Sequence, residues 1–138
     1  MNNKLLISLS LTLILFVSCS SNKKEILHST YEEIIQDLNS PINFNKKYRN
    51  KDVYITGIIK YIGEPKDSVP NTNASYIEFA GKNDISVIVY FDYIISEDVK
   101  VDQKVNVKCS FRKLYKANHF CNEDLVEFNK GKLIKNFY

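Results

Sequence analysis

The sequence is poor in glycine, proline and tryptophan, with four glycines, three prolines and no tryptophan in 138 residues. So few glycines argue against a Gly-rich loop that would cradle the phosphates of a nucleotide. The excess of positive over negative charge is also small, since 19 Lys and Arg residues against 16 Asp and Glu residues leave a formal net charge of only +3. A dedicated nucleic-acid binder usually carries a dense basic patch, so this balance disfavours that class. What remains is ordinary globular chemistry, 44% hydrophobic and 25% charged, in a chain long enough for one domain.

The first nineteen residues have the features of an export signal. Lys4 is followed by an uncharged stretch over residues 5–17. This length matches the hydrophobic region of a secretory signal and falls short of the ~20 residues that a membrane-spanning helix needs. The stretch leads into Phe-Val-Ser-Cys at residues 16–19, which resembles the lipobox of bacterial lipoproteins. The resemblance implies cleavage after Ser18 and a diacylglycerol thioether on Cys19. An ordinary signal peptide that happens to contain a cysteine is the alternative.

A lipidated Cys19 would hold the chain at a membrane without a spanning segment, because two or three acyl chains give stable anchoring. We therefore expect a signal peptide over residues 1–18, a lipidated polar tether over 19–29 and the folded domain over 30–138. The expected location is the bacterial cell envelope, where ATP and cytosolic metabolites are absent, so no cofactor is expected. Ser20 stands where inner-membrane lipoproteins carry an aspartate, so the resemblance implies the outer membrane in a cell that has two.

The domain sequence predicts one helix followed by five strands. Thr30 and Glu33 form a capping box, and apolar residues then recur at helical spacing, which predicts a helix over 31–39 that ends before Pro41. From residue 52 onward the apolar period changes to two, which is typical of half-buried strands. The strands are expected over 52–60, 76–80, 85–91, 104–111 and 125–134, with a loop over 112–124.

Five short strands that each bury one face fit a small closed barrel filled by its own side chains, whereas a β-sandwich would usually have seven. Four segments also resemble those of tRNA-anti-like OB-fold domains, which are found in small bacterial lipoproteins: residues 48–51 with 53–59, then 87–91, 104–108, and 126–128 with 132–134. The resemblance covers residues 31–134 and implies a mainly β fold, a five-stranded OB-fold-like barrel with one N-terminal helix. A fold does not give a function, and an exported protein meets no tRNA, so no nucleic-acid partner is expected.

The candidate binding face comes from outward residues of the strands. If Val53 points inward, then Tyr54 and Lys60 point outward, together with Tyr76 and Tyr90 of the next two strands. OB-folds bind their ligands around the second and third barrel strands, and tyrosine rings stack on sugars or side chains. These four residues therefore predict a patch for a protein or glycan of the envelope. The alternative is that tyrosine simply suits a pleated surface, or packs beneath the helix.

Little in the sequence points to catalysis. Cys109 and Cys121 could form a disulfide in an exported protein, or Cys109 could be a buried thiol in phase with its strand. His119 and Cys121 offer two metal ligands where zinc needs three or four, so no metal is expected. No nucleophile–base pair is visible either. The basic residues within 112–116 could meet an anionic glycan or a membrane, or could belong to a solvated loop.

The sequence thus favours a lipid-anchored, non-catalytic binding module. The main alternative is a structural spacer or interaction subunit of an envelope complex. An envelope hydrolase and an oligonucleotide binder are weaker alternatives.

Overall fold

The computed structural model describes residues 24–64, 75–81, 85–117 and 123–134. Within these ranges the order of elements is β1 (Ile26–Thr30), α1 (Tyr31–Asp37), α2 (Pro41–Tyr48), β2 (Asp52–Gly63), β3 (Tyr76–Phe79), β4 (Ile85–Tyr90), β5 (Lys104–Tyr115) and β6 (Asp124–Ile134). The five strands predicted from the sequence are confirmed. The single predicted helix is corrected to two, and a further strand precedes them. The predicted signal peptide and Cys19 lie outside the described residues.

Strands β2 to β6 close into a barrel. β2 pairs antiparallel with both β3 and β5, β3 pairs antiparallel with β4, and β5 pairs antiparallel with β6. The ring is completed by a parallel pairing of β4 with β6. The order around the barrel is therefore β2-β3-β4-β6-β5 and back to β2. The predicted five-stranded OB-fold-like barrel is confirmed.

The barrel is filled by every second residue of its strands, as the period of two predicts. Its fully buried side chains are Val53, Ile55, Ile59, Ile77, Phe79, Val87, Val89, Val107, Val126 and Phe128. Burial of one such side chain contributes roughly 1.5–3 kcal/mol relative to its exposure. A continuous apolar interior of this kind leaves the outer faces of the same strands available for other contacts.

The first helix begins as the capping box predicts. The Thr30 hydroxyl oxygen accepts a hydrogen bond from the Glu33 backbone amide at 3.2 Å, and the Glu33 carboxylate accepts one from the Thr30 amide at 2.8 Å. Each group satisfies a backbone donor that the helix itself leaves unpaired. The buried stripe of α1 then packs Ile34 on the barrel core.

The second helix starts at the proline that was predicted only to stop the first. Pro41 occupies the first turn of α2, where a residue without an amide proton costs nothing. Phe44 and Tyr48 are fully buried on its inner face. Phe44 packs edge-on against Phe111 of β5, with ring centroids 5.4 Å apart, and Tyr48 packs edge-on against Phe128 of β6. Both helices therefore belong to the core of the barrel domain.

Residues 26–29, assigned to the tether from the sequence, form most of β1, which runs parallel to the first half of β2. Only Ser29 of this strand is buried. The apolar alternation that reveals a strand is therefore absent, and backbone pairing with β2 is what makes these residues extended. Upstream, the Lys24 ammonium lies 2.7 Å from a carboxylate oxygen of Asp52 and 3.3 Å from the Ser110 hydroxyl. The domain thus begins several residues earlier than predicted.

Candidate functional site

Three tyrosines form a continuous row on the outer face of β2, β3 and β4, which we call the tyrosine row. The ring centroids of Tyr61 and Tyr76 are 5.8 Å apart, and those of Tyr76 and Tyr90 are also 5.8 Å apart. Tyr76 and Tyr90 are direct register partners across β3 and β4. Tyr61 is 44% exposed, and the other two rings are half-buried. The row presents neighbouring apolar ring faces on the strands where OB-folds usually bind their ligands.

A β-bulge explains why Tyr61 is missed by simple alternation. The phase that points Ile59 inward would point Tyr61 inward too, but the β2–β3 register shifts between these two residues. After the shift Tyr61 lies opposite Glu78, on the outer face, and Gly63 lies opposite Tyr76. A Cβ at Gly63 would overlap the Tyr76 ring, so the glycine makes room for that ring over β2. A glycine inside a strand is the one sequence signal of such a close approach.

The row ends beside a buried carboxylate. The Tyr90 hydroxyl donates to Glu127 Oε1 at 3.3 Å. The Arg112 guanidinium lies 5.7 Å from the centre of the Tyr90 ring and 3.6 Å from Glu127 Oε2. Glu127 is only 7% exposed, and its Oε2 atom accepts no hydrogen bond from the described residues. Burial, followed by the Glu127 charge, raises the pKa of Tyr90 to about 12, so the hydroxyl stays protonated at neutral pH and can only serve Glu127 as a donor.

Of the four predicted face residues, Tyr54 lies apart from the row. Its ring stacks on His28 of β1, with centroids 4.9 Å apart, and the Lys108 ammonium lies 5.9 Å from its centre. Tyr54 points outward as predicted. However, it lies on the first half of β2, where β1 and β5 are its neighbours. The prediction that all four residues form one patch is therefore wrong for Tyr54.

Lys60, another predicted face residue, borders the tyrosine row. Its ammonium lies 2.8 Å from Glu78 Oε1, and this hydrogen bond raises the pKa of Lys60. The same Glu78 oxygen accepts a bond from the Ser86 hydroxyl at 3.0 Å. Since Glu78 is the register partner of Tyr61, this polar cluster lies directly beside the exposed ring of the row.

A second feature is a groove of about 600 Å³ between the end of α2 and the far end of β5, which we call the basic groove. Among the described residues, its charged lining consists of four cations: Arg49, Arg112, Lys113 and Lys116. Residues 112–115, predicted to start a loop, instead continue β5. Register shifts along the β5–β6 pair allow the long strand to continue past the edge of β2. Arg112 is shared between this groove and the end of the tyrosine row.

Cys109 is a free, buried thiol that is 2% exposed, and its Sγ atom lies 3.6 Å from the Val53 carbonyl oxygen. Burial raises the pKa of this thiol, which keeps it protonated and unreactive. Cys121, the other cysteine of the possible disulfide, and His119 lie outside the described residues. Within the described ranges, no three His, Cys, Asp or Glu side chains are grouped so that they could hold a metal ion. Neither helix in those ranges is long and apolar enough to cross a membrane.

No protein-family model matches this chain, and no curated protein matches it. Among solved structures, the chain is similar to a protein described as an aspartyl-tRNA synthetase from Leishmania major Friedlin, with 10% sequence identity and a TM-score of 0.42. The likeness covers 84% of this chain and 22% of that one. At this TM-score it supports no conclusion about the function of the present chain.

Proposed function

We propose that this protein is a lipid-anchored, non-catalytic binding module of the bacterial cell envelope that recognises a glycan through the tyrosine row. The observation that carries the proposal is the run of Tyr61, Tyr76 and Tyr90 at equal spacing across the outer face of three barrel strands. Gly63 leaves room for the central ring of this run on the outer face of the sheet.

The chemistry along the row favours a sugar. A sugar ring has apolar C–H faces, which stack on aromatic rings, and a rim of hydroxyls that both donate and accept hydrogen bonds. The borders of the row offer donors from Lys60 at one side and Arg112 at the other, and Glu78 beside Lys60 adds an acceptor. A protein partner is the alternative ligand of the same face.

The anchor rests on the sequence of residues 16–19 and is tested separately. Cys19→Ser removes the thiol that would carry the lipid. We therefore expect the unprocessed precursor, with residues 1–18 still attached, to accumulate in place of the mature lipidated chain. Mass spectrometry of the chain extracted from membranes would show a mature chain that begins at a diacylated Cys19. A chain of unmodified mass would contradict the anchor.

Glycan binding is tested by co-sedimentation of the full chain with purified cell-wall sacculi. We expect Tyr61→Ala and Tyr76→Ala each to weaken binding about tenfold, because a lost aromatic contact is worth roughly 1–1.5 kcal/mol. The matched control is Tyr93→Ala, since Tyr93 is 42% exposed but lies outside the row. Equal binding by all three variants would contradict a role for the row.

A protein partner would give a different result. A photo-crosslinking residue at position 61 in cells would then yield a discrete protein adduct that is missing with the same probe at position 94, where the native isoleucine is 72% exposed. Such an adduct, together with no binding to sacculi, would replace the glycan with a protein ligand. No sacculus binding and no adduct at either position would favour a structural spacer.

A further inference from the structure

We propose that the basic groove binds the phosphate of anionic lipid headgroups in the membrane to which the chain is anchored. The residues that line the groove provide cations and amides that suit a phosphate. The assignment of that phosphate to a headgroup rests on the proposed anchor at Cys19, because a tethered domain meets its own membrane surface first.

Two of the cations in the groove have no carboxylate partner among the described residues. Arg49 forms no ion pair with any described residue. The Lys113 ammonium lies 4.3 Å from the centre of the Tyr115 ring, a contact that leaves its charge uncompensated. These two charges are therefore available to an anion in the groove.

The other two cations are held to different degrees. Arg112 lies 3.6 Å from Glu127, well beyond the ~2.7–2.9 Å of a charge-assisted hydrogen bond, so it can turn toward a closer anion. Lys116 is bound to Asp124 at 2.6 Å, and this bond lowers the pKa of the Asp124 carboxyl. We therefore expect Arg49, Arg112 and Lys113 to provide most of the attraction, and Lys116 little.

The remaining lining of the groove suits a phosphate ester, which has an organic part as well as a charged group. Asn45 and Asn50 add amide donors, and the partly buried Phe111 and Leu114 add an apolar floor. Asn50 has a left-handed backbone, with φ of 61°, a conformation that asparagine tolerates better than most residues. It follows Arg49, the C-cap residue of α2, and both residues line the groove.

The start of the described chain contacts β5 just before the stretch of that strand that lines the groove. Lys24 contacts Asp52 and Ser110, and Ser110 directly precedes Phe111 of the groove floor. The five residue steps from Cys19 to Lys24 span at most about 18 Å when fully extended. A lipid on Cys19 would therefore hold this end of the barrel close to the headgroups. Ile26, next to Lys24 and 55% exposed, adds an apolar side chain on the same side.

The test is a titration of the ¹⁵N-labelled full chain in zwitterionic detergent with dihexanoyl phosphatidylglycerol, followed by the backbone amide shifts of Arg49, Asn50 and Lys113. We expect saturable shifts that dihexanoyl phosphatidylcholine does not produce. Arg49→Gln and Lys113→Gln should each raise the apparent Kd about fivefold, as expected for one basic residue at an anionic surface. Lys104→Gln is the matched control, because Lys104 is an exposed lysine at the opposite end of β5, and it should leave the Kd unchanged.

Several results would overturn the proposal. Equal shifts with the choline lipid, or an equal loss in Lys104→Gln, would show that the groove does not select an anionic headgroup. Binding of glycerol 3-phosphate as tight as that of the lipid would make a free phosphate ester the ligand. Tighter binding of a thymidine decanucleotide would make it a single-stranded nucleic acid.

These outcomes are separable from a failure of the proposed function. The mass of the chain from membranes reports the anchor without reference to the groove. Sacculus binding depends on Tyr61 and Tyr76, which Arg49→Gln and Lys113→Gln leave in place. If the lipid titration fails while Cys19 is acylated and the row binds sacculi, the groove proposal alone is wrong.

Discussion

Replacement of Tyr48 by phenylalanine would measure how much the Tyr48 hydroxyl, which joins β1, α1 and α2, contributes to the free energy of unfolding. The Tyr48 hydroxyl donates to Asp37 Oδ2 at 2.5 Å and lies 3.0 Å from the Ser29 hydroxyl oxygen. Its ring is fully buried and packs edge-on against Phe128. Because phenylalanine keeps the ring and its contacts, the change isolates the hydroxyl. The Tyr48 hydroxyl oxygen thereby links β1, α1 and α2, the three elements that precede the barrel strands in the chain.

The expected loss follows from what each partner retains. A hydrogen bond to a charged group contributes about 1.5–3 kcal/mol, and one between neutral groups about 0.5–1.5 kcal/mol. The Asp37 side chain is 27% exposed and keeps Lys47 at 2.6 Å, so water and the lysine replace much of the lost bond. Ser29 is 5% exposed, and its one hydroxyl proton can turn from the Tyr48 oxygen to the Glu33 carboxylate, which lies 3.1 Å away. We therefore expect Tyr48→Phe to lower the free energy of unfolding by about 2 kcal/mol.

The assay is urea unfolding of the full chain at pH 7, followed by far-ultraviolet circular dichroism. Tyr115→Phe serves as the control, since that ring is 37% exposed. Surface changes of this kind usually stay within about 0.5 kcal/mol. A loss in Tyr48→Phe that does not exceed the control would refute the view that this hydroxyl joins the helices to β1.

Three further changes probe the site and its surroundings. Gly63→Ala should displace the central ring of the tyrosine row, so sacculus binding should fall about tenfold while circular dichroism at low temperature stays native; unchanged binding would show that the row tolerates a different geometry. Tyr90→Phe leaves the buried Glu127 carboxylate without its hydroxyl donor and should cost about 1–3 kcal/mol in urea unfolding; a neutral result would mean that Arg112 alone satisfies Glu127. Hydrogen bonds from Lys24 and Lys108 lower the pKa of Asp52, so their stabilisation is present above the ordinary carboxyl pKa and is lost as the pH falls through the lowered one. Lys24→Ala should therefore cost about 0.5 kcal/mol at pH 7 and progressively less below about pH 4, and a cost that persists at pH 2 would contradict this ion pair as the cause.

The barrel was predictable because its signals are local. Each strand must alternate between interior and exterior, so residues such as Val87 and Val89 mark β4 without knowledge of its neighbours. The capping box at Thr30 and Glu33 likewise acts within one helical turn. The second helix was missed because Pro41 is compatible with either the end of one helix or the first turn of another. Only the burial of Phe44 and Tyr48 by the assembled barrel distinguishes these cases.

The candidate site was only partly predictable, because it depends on pairing between strands. Tyr76 and Tyr90 follow from alternation, but Tyr61 joins them through a bulge that the sequence of β2 alone does not locate. Tyr54 is separated from them because β1 pairs with the first half of β2, and β1 carries no apolar alternation of its own. Arg112 was expected in a loop and reaches the row only because β5 extends past the edge of β2. In each case a long-range contact decides the position of a side chain whose local sequence is ambiguous.

The two proposed surfaces, the tyrosine row and the basic groove, meet at Arg112. The guanidinium covers the Tyr90 ring, lies near the buried Glu127 and lines the basic groove. An anion in the groove that draws Arg112 toward itself would uncover part of Tyr90 and leave Glu127 less compensated. Loading of the groove would then change the affinity of the row, and by thermodynamic reciprocity a ligand on the row would change the affinity of the groove. Substitution of Arg112 therefore perturbs both surfaces at once, whereas Arg49 and Lys113 report on the groove and Tyr61 reports on the row.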